Sequence, residues 1–149
     1  MIEYVRLKAE DVARLRELNA VFGEAFGEPD TYDPGRPTDE YLRERLRNQN
    51  IIAFVALDER VVIGGLTAYV LDKLEHDRRE IYLYDLAVSA SHRRRGIARG
   101  LIDELRAIAR ELCAYVIFVQ ADPPDTPAIR LYESLGARED VHHFDISVT

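Results

Sequence analysis

Apolar residues recur every three to four positions over residues 97–112, where Ile97, Leu101, Ile102, Leu105, Ile108, Ala109 and Leu112 form one continuous stripe. That period predicts a long amphipathic helix. The same spacing in Leu15, Leu18, Phe22, Ala25 and Phe26 predicts a helix over residues 11–26. Elsewhere the apolar positions run together or alternate. Residues 51–57 are almost wholly apolar and predict a buried strand; residues 58–60 turn the chain into a second strand over 61–71, giving a hairpin. Gly64 and Gly65 within it predict a bulge or a close backbone approach. Further strands are predicted over 2–7, 81–88 and 114–120, and the alternation over 141–148 predicts a last one. Residues 28–37 hold three prolines and a glycine and read as a loop. Thr38 is placed to cap a short helix ending near residue 48, with Asp39 and Glu40 in its first turn. Pro123 and Pro124 precede a helix over 126–135, which Gly136 is placed to stop. No repeat or linker interrupts this order. The expectation is a single α+β domain over 1–149, a mixed central sheet flanked by helices in three layers.

Charge narrows the partners. Twenty Lys and Arg stand against 27 Asp and Glu, a net charge of −7, which disfavours nucleic acid and suits a cationic or neutral partner. Acids crowd the first loop: Glu24, Glu28, Asp30, Asp33, Asp39 and Glu40 face only Arg36. The lone cysteine, Cys113, allows no internal disulfide and reads as a buried small residue between a helix and a strand. No apolar run suits a signal peptide or a membrane span, so a cytoplasmic location is expected. His142 and His143 lack the acidic partners and spacing of a metal site, and His76 and His92 read as solvated, so no metal is predicted.

The chemistry concentrates where strand 81–88 gives way to helix 97–112. Between them lie His92, Arg93, Arg94, Arg95 and Gly96, followed by Ile97, Ala98 and Arg99. The first N–H groups of a helix lack carbonyl partners and sit at its positive end. Gly96 admits a ligand close to the backbone, Ala98 keeps the next turn narrow, and arginines flank both. These are the parts of an anion cradle suited to a pyrophosphate. The Gly-Lys-Ser/Thr of a mononucleotide loop and the extra glycines of a dinucleotide fingerprint are absent. The same residues taken alone would also serve as a solvated basic loop capping an ordinary helix.

Arg93-x-x-Gly96-x-Ala98 between an apolar strand and a periodic helix resembles the central acetyl-CoA motif of the GNAT superfamily of N-acetyltransferases. About thirty residues later, Ala128-Ile129-Arg130-Leu131-Tyr132-Glu133-Ser134-Leu135-Gly136-Ala137 resembles its second marker, with Asp125 where many members have Asn and Ala137 in place of an aromatic residue. The block 80–89, His92-Arg93-Arg94, residues 115–117 and 119–122, residues 22–27, 68–71 and 143–146 extend the resemblance to the GNAT-type aminoglycoside 3-N-acetyltransferases. That similarity implies acetyl-CoA as co-substrate and an aminoglycoside as acceptor, acetylated at the 3-amino group of 2-deoxystreptamine with antibiotic resistance as the outcome. It also implies a homodimer. Other amine acceptors, such as a polyamine or a peptide, and a non-catalytic acyl-CoA-binding module remain alternatives.

The resemblance also implies a site. Leu86, Ala87 and Val88 bond the pantetheine arm through their backbone, the strand there splays from the one over 115–120, Arg94 to Arg99 take the pyrophosphate, and Arg93 is also among the cofactor-binding residues. Tyr132 becomes the acid for the leaving thiolate, and a backbone N–H near Val88 the oxyanion donor. Asp85 and Glu80 are the candidate bases. Their odd spacing puts them on opposite faces of a regular strand unless a bulge intervenes.

Overall fold

The computed structural model describes residues 1–149. The apolar runs become a five-stranded sheet: β1 (Ile2–Arg6), β2 (Ile51–Asp58), β3 (Val61–Asp72), β4 (Arg79–Val88) and β5 (Ala114–Val119), in that spatial order. The first four strands pair antiparallel, and β4 and β5 pair parallel. A parallel pair needs a crossover, supplied by helix α3 (Ile97–Glu111). Helices α1 (Val12–Phe26), α2 (Asp39–Arg47) and α4 (Thr126–Glu133) complete the α+β, three-layer architecture.

Each face of the sheet carries its own core. On one, Ile52, Phe54, Leu66, Ile81 and Leu83 meet the α3 stripe of Ile97, Leu101, Ile102, Leu105 and Ala109, with Leu131 and Tyr132 of α4 packed beside them. On the other, Leu15, Leu18 and Phe22 of α1 and Leu42 of α2 cover Ala53, Val55 and Leu57. Each fully buried Leu, Ile or Phe contributes about 1.5–3 kcal/mol, and these stripes fix which helix lies on which face.

Local chemistry explains the joints. Thr38 caps α2 by accepting the Tyr41 N–H at 3.1 Å. The β2–β3 hairpin closes on Glu59 (φ 48°) and Arg60 (φ 70°), the paired left-handed residues of a two-residue turn. The register of β2 and β3 slips between Ala56 and Leu57, beside the glycine pair. At Gly65 a Cβ would lie 2.3 Å from the Phe54 carbonyl oxygen and 2.5 Å from Leu18 Cδ1, so its bareness lets α1 seat on the sheet.

Three expectations are corrected. No strand forms over 141–148: the tail's hydrogen bonds stay within the tail, as in His143–Asp145 and Ser147–Thr149, and Phe144 and Ile146 are exposed. Alternation favours a strand, but a strand also needs a neighbour's N–H and C=O groups, and the tail pairs with neither open edge of the sheet. Cys113 is exposed at φ 55°, because it takes the left-handed position that reverses the chain after α3. His92 is not merely solvated but is held by Asp58, as described below. Helix α4 also ends at Glu133, with the turn continuing to Gly136 through a bond from its N–H to the Tyr132 carbonyl (2.9 Å).

Candidate active site

The cleft arises from unequal strand lengths. β4 pairs with β5 only from Arg79 to Leu83, opposite Val119. Beyond that point β5 ends, while β4 continues to Val88 with only β3 beside it. The Ser89 N–H donates to the Ile63 carbonyl on β3 at 2.8 Å. By strand alternation the N–H groups of Leu86 and Val88 point the other way, across the cleft. These are unused donors on a rigid strand.

Directly after Val88 comes the basic loop. Arg94 (φ 63°) and Gly96 (φ 75°) are both left-handed, so the backbone curls before α3 begins. Nothing lies within 4 Å of the position a Gly96 Cβ would take, and the first helical bond runs from the Gly100 N–H to the Gly96 carbonyl (3.0 Å). The N–H groups of Ile97, Ala98 and Arg99 therefore face open space at the positive end of a 15-residue helix. The residues present fit a pyrophosphate.

The arginines divide their work. Arg93 Nε donates back to the Val88 carbonyl at 3.2 Å, tying the loop to the strand end. Arg95 reaches Asp58 at 3.8 Å, and His92 Nε2 meets the same carboxylate at 3.1 Å. His92 Nδ1 lies 3.0 Å from Ser89 Oγ and 2.9 Å from Ser91 Oγ. Asp58, at the left-handed hairpin turn, thus anchors the whole loop, a role no sequence signal indicated. Arg99 donates to Ser134 Oγ at 2.9 Å and Arg106 to the Leu135 carbonyl at 3.3 Å, so α4 is docked along α3 beside the cradle. The Arg94 guanidinium has no protein partner among the hydrogen bonds and ion pairs of the structure.

A bulge decides the placement of the acids. Asp85 pairs with Thr67 but Leu83 with Ala68, so Tyr84 is an extra residue in β4. This resets the alternation and brings Glu80, Tyr82 and Asp85 onto the α1–α2 face. Glu80 is already engaged: it accepts from the Tyr115 hydroxyl at 2.7 Å and pairs with Lys73 at 3.0 Å, and both hold its carboxyl below its ordinary range. Asp85 sits at the open end, where the strands part. Burial pushes its carboxyl up, a hydrogen bond from the Tyr32 hydroxyl (2.9 Å) offsets part of the rise, and Glu28 adds to it. Tyr32 comes from the acidic loop, seated on Phe22 and Phe26 at ring distances of 5.7 and 5.4 Å. Tyr84 lies 5.7 Å from Tyr69 and 5.4 Å from Tyr82, and Tyr82 stacks on Phe118 at 4.6 Å, so this face is lined by tyrosines as well as acids.

Tyr132 lies on the other side. It packs against the α3-face core, and burial, with a contribution from Asp125, pushes its hydroxyl up to about 12. Asp85, bonded to Tyr32, and Tyr132, packed on the α3-face core, thus lie on opposite faces of the sheet. No group of three His, Cys, Asp or Glu side chains is arranged to hold a metal ion.

A strand splayed from its neighbour, with a bare helix start at its end, is an arrangement for holding an acylated phosphopantetheine. The acetyltransferase (GNAT) family model matches residues 14–137, and the chain belongs to that family. A solved aminoglycoside acetyltransferase from an uncultured soil metagenomic sample is 48% identical, with a TM-score of 0.98 covering 100% of this chain and 99% of that one. A second one from such a sample, in complex with sisomicin, is 32% identical with a TM-score of 0.91, covering 99% and 97%. Human N-acetyltransferase 8 is 28% identical over 102 residues, 68% of this chain, which spans 43% of that protein's length.

Proposed function

We propose that this acetyltransferase transfers the acetyl group of acetyl-CoA directly to an aminoglycoside, at the 3-amino group of the 2-deoxystreptamine ring. It acts as a cytoplasmic homodimer and confers resistance to the drug. The observation that carries the reading is Asp85. It is a half-buried carboxylate, brought by a bulge onto an acidic, tyrosine-lined face where the strands open. The sisomicin complex of the relative matching 99% of this chain supports the substrate class.

Each residue has a defined task. The N–H groups at the start of α3, with Arg94 and Arg99 beside them, hold the pyrophosphate. The inward backbone groups of Leu86 and Val88 align the pantetheine arm, and the Val88 N–H donates to the oxyanion as the amine attacks the thioester carbonyl. Asp85 binds the ammonium and accepts its proton, directly or through water, so that a neutral amine is presented. Glu80, paired with Lys73, shapes the field on the same face. Collapse of the tetrahedral intermediate expels the thiolate, which Tyr132 protonates from the opposite side. A hydroxyl raised to about 12 remains protonated near neutrality and is available for that step.

The test is acetyl-CoA-dependent thiol release with sisomicin, the acetylated nitrogen being located by NMR. Acetylation at N3 is expected. Asp85→Asn should lower kcat/KM for the drug by about 10²-fold or more, the range for a positioned base, with acetyl-CoA affinity unchanged. Acetylation elsewhere on the drug would correct the regiochemistry. Turnover of polyamines or peptides alone would overturn the substrate, and tight CoA binding without any turnover would leave a binding module.

A further inference from the structure

Two buried side-chain atoms have no hydrogen-bond partner in the protein, Thr67 Oγ1 and Arg78 Nε. The arginine is accounted for by its neighbour, since its guanidinium lies over the Tyr115 ring, 4.0 Å from the centroid. A ring face attracts a cation and offsets part of what the missing bond costs. Nothing comparable serves Thr67. A buried hydroxyl without a partner is destabilising, and an isosteric valine would fill the same space without that penalty.

The position of Thr67 supplies a reason for it. It sits in the middle of β3, between Ala53 on β2 and Asp85 on β4. Ala53 belongs to the core under α1 and α2, so Thr67 is on that face of the sheet. Asp85 is therefore its one polar cross-strand neighbour. Directly opposed residues hold their Cβ atoms about 4.5–5.5 Å apart, so a side-chain rotation brings hydroxyl and carboxylate together. The carboxylate has room for the bond. Its Oδ1 accepts from the Tyr32 hydroxyl at 2.9 Å, and its Oδ2 accepts from no protein group. A donor without an acceptor thus faces an acceptor without a donor, across two strands at the bulge.

We propose that Thr67 is a positioning residue for Asp85: its hydroxyl donates to Oδ2 when the substrate ammonium engages the carboxylate. Tyr32 restrains one carboxylate oxygen, and it does so from a loop. Thr67 restrains the other from the centre of the sheet. Two donors on two oxygens fix the carboxylate plane, so the lone pair that takes the proton stays aimed at the amine. Thr67 exchanges no proton with the substrate and acts through Asp85 alone. The inference rests on the reading of Asp85 as the base in the proposed function.

Steady-state kinetics with sisomicin at saturating acetyl-CoA test the role, using Thr67→Val, Thr67→Ser, Asp85→Asn and the combination of Thr67→Val with Asp85→Asn. Thr67→Val keeps the shape and removes the hydroxyl. Its Tm should equal or exceed that of the wild type, because an unpaired buried group is gone. Its kcat should nevertheless fall roughly tenfold or more, the worth of one hydrogen bond to a charged group, with KM for acetyl-CoA unchanged. Thr67→Ser keeps the hydroxyl and should retain nearly wild-type kcat. With Asp85→Asn already in place, the valine should have little further effect, because the group it acts through is gone. Wild-type kcat in Thr67→Val overturns the inference. So does a Tm lowered by valine, which would show the hydroxyl bonded within the fold. A serine variant as slow as the valine one would assign the loss to packing, and an undiminished loss in the combined variant would detach Thr67 from Asp85; either result also overturns it. Wild-type kcat in Asp85→Asn alone overturns the base reading itself, and the positioning role with it.

Discussion

Tyr32 and Asp85 stand 53 positions apart in the chain and 2.9 Å apart in space. The hydrogen bond stabilises the charged carboxylate, so removing it must raise the Asp85 pKa further above its ordinary value. A base works only when deprotonated. Tyr32→Phe should therefore move the acidic limb of the kcat/KM profile to higher pH, while the Phe22 and Phe26 contacts keep the loop in place. An unmoved limb would detach Asp85 from the base role. Tyr132 is tested by a different readout. Tyr132→Phe removes a hydroxyl that has no protein partner among the hydrogen bonds, so folding and acetyl-CoA affinity should survive. Its kcat should fall by roughly 10²-fold, the usual contribution of a positioned general acid. Equal wild-type and variant kcat would make Tyr132 a packing residue.

At the scale of elements, the start of α3 is the sensitive point. Gly96 is left-handed at φ 75° with open space before it, so the backbone there is exposed to an incoming anion. Gly96→Asp places a negative side chain in that space and strains a conformation glycine takes freely. Calorimetry should show acetyl-CoA binding lost by 10²-fold or more in a protein that still melts cooperatively. An unchanged Kd would move the cradle elsewhere. The Tyr84 bulge acts on the same scale. A regular β4 would send Asp85 into the α3-face core, and the extra residue sends it toward the α1–α2 face instead. The length mismatch between β4 and β5 then opens the cleft beside it.

For the whole molecule, the net charge of −7 conceals a division. Arg93, Arg94, Arg95 and Arg99 gather at the loop and first turn of α3, and Glu28, Glu80 and Asp85 gather on the α1–α2 face. Under the proposed function, this division would draw an anionic co-substrate and a polycationic acceptor to oppositely charged parts of the molecule. Salt discriminates this arrangement from a neutral pocket, because the Debye length contracts from about 10 Å at 0.1 M to about 3 Å at 1 M. With acetyl-CoA held saturating, KM for sisomicin should rise several-fold over that range, with kcat little changed. A salt-independent KM would mean that the acids do not attract the drug.

Much of this molecule is written locally. The 3.6-residue stripe of α3, the Thr38 cap, the apolar runs of β2 and β4 and the Arg-Gly-Ala start of α3 depend on residues within a few positions of one another. The sequence alone therefore determined the order of the first five strands and of the four helices, and the two family motifs. Other features needed distant segments to meet. Whether Glu80 and Asp85 share a face turned on where β3 and β4 slip register, and Thr67 and Ala68 set that point from another strand. Asp58 holds His92 and Arg95 only because a hairpin turn is folded against the loop. Tyr32 reaches Asp85 only because α1 seats at Gly65. Alternation marked residues 141–148 as strand-forming, but a strand is completed by pairing with a neighbour, and the tail pairs with neither edge of the sheet. Local periodicity sets what a segment can become, and the availability of partners in three dimensions decides whether it does.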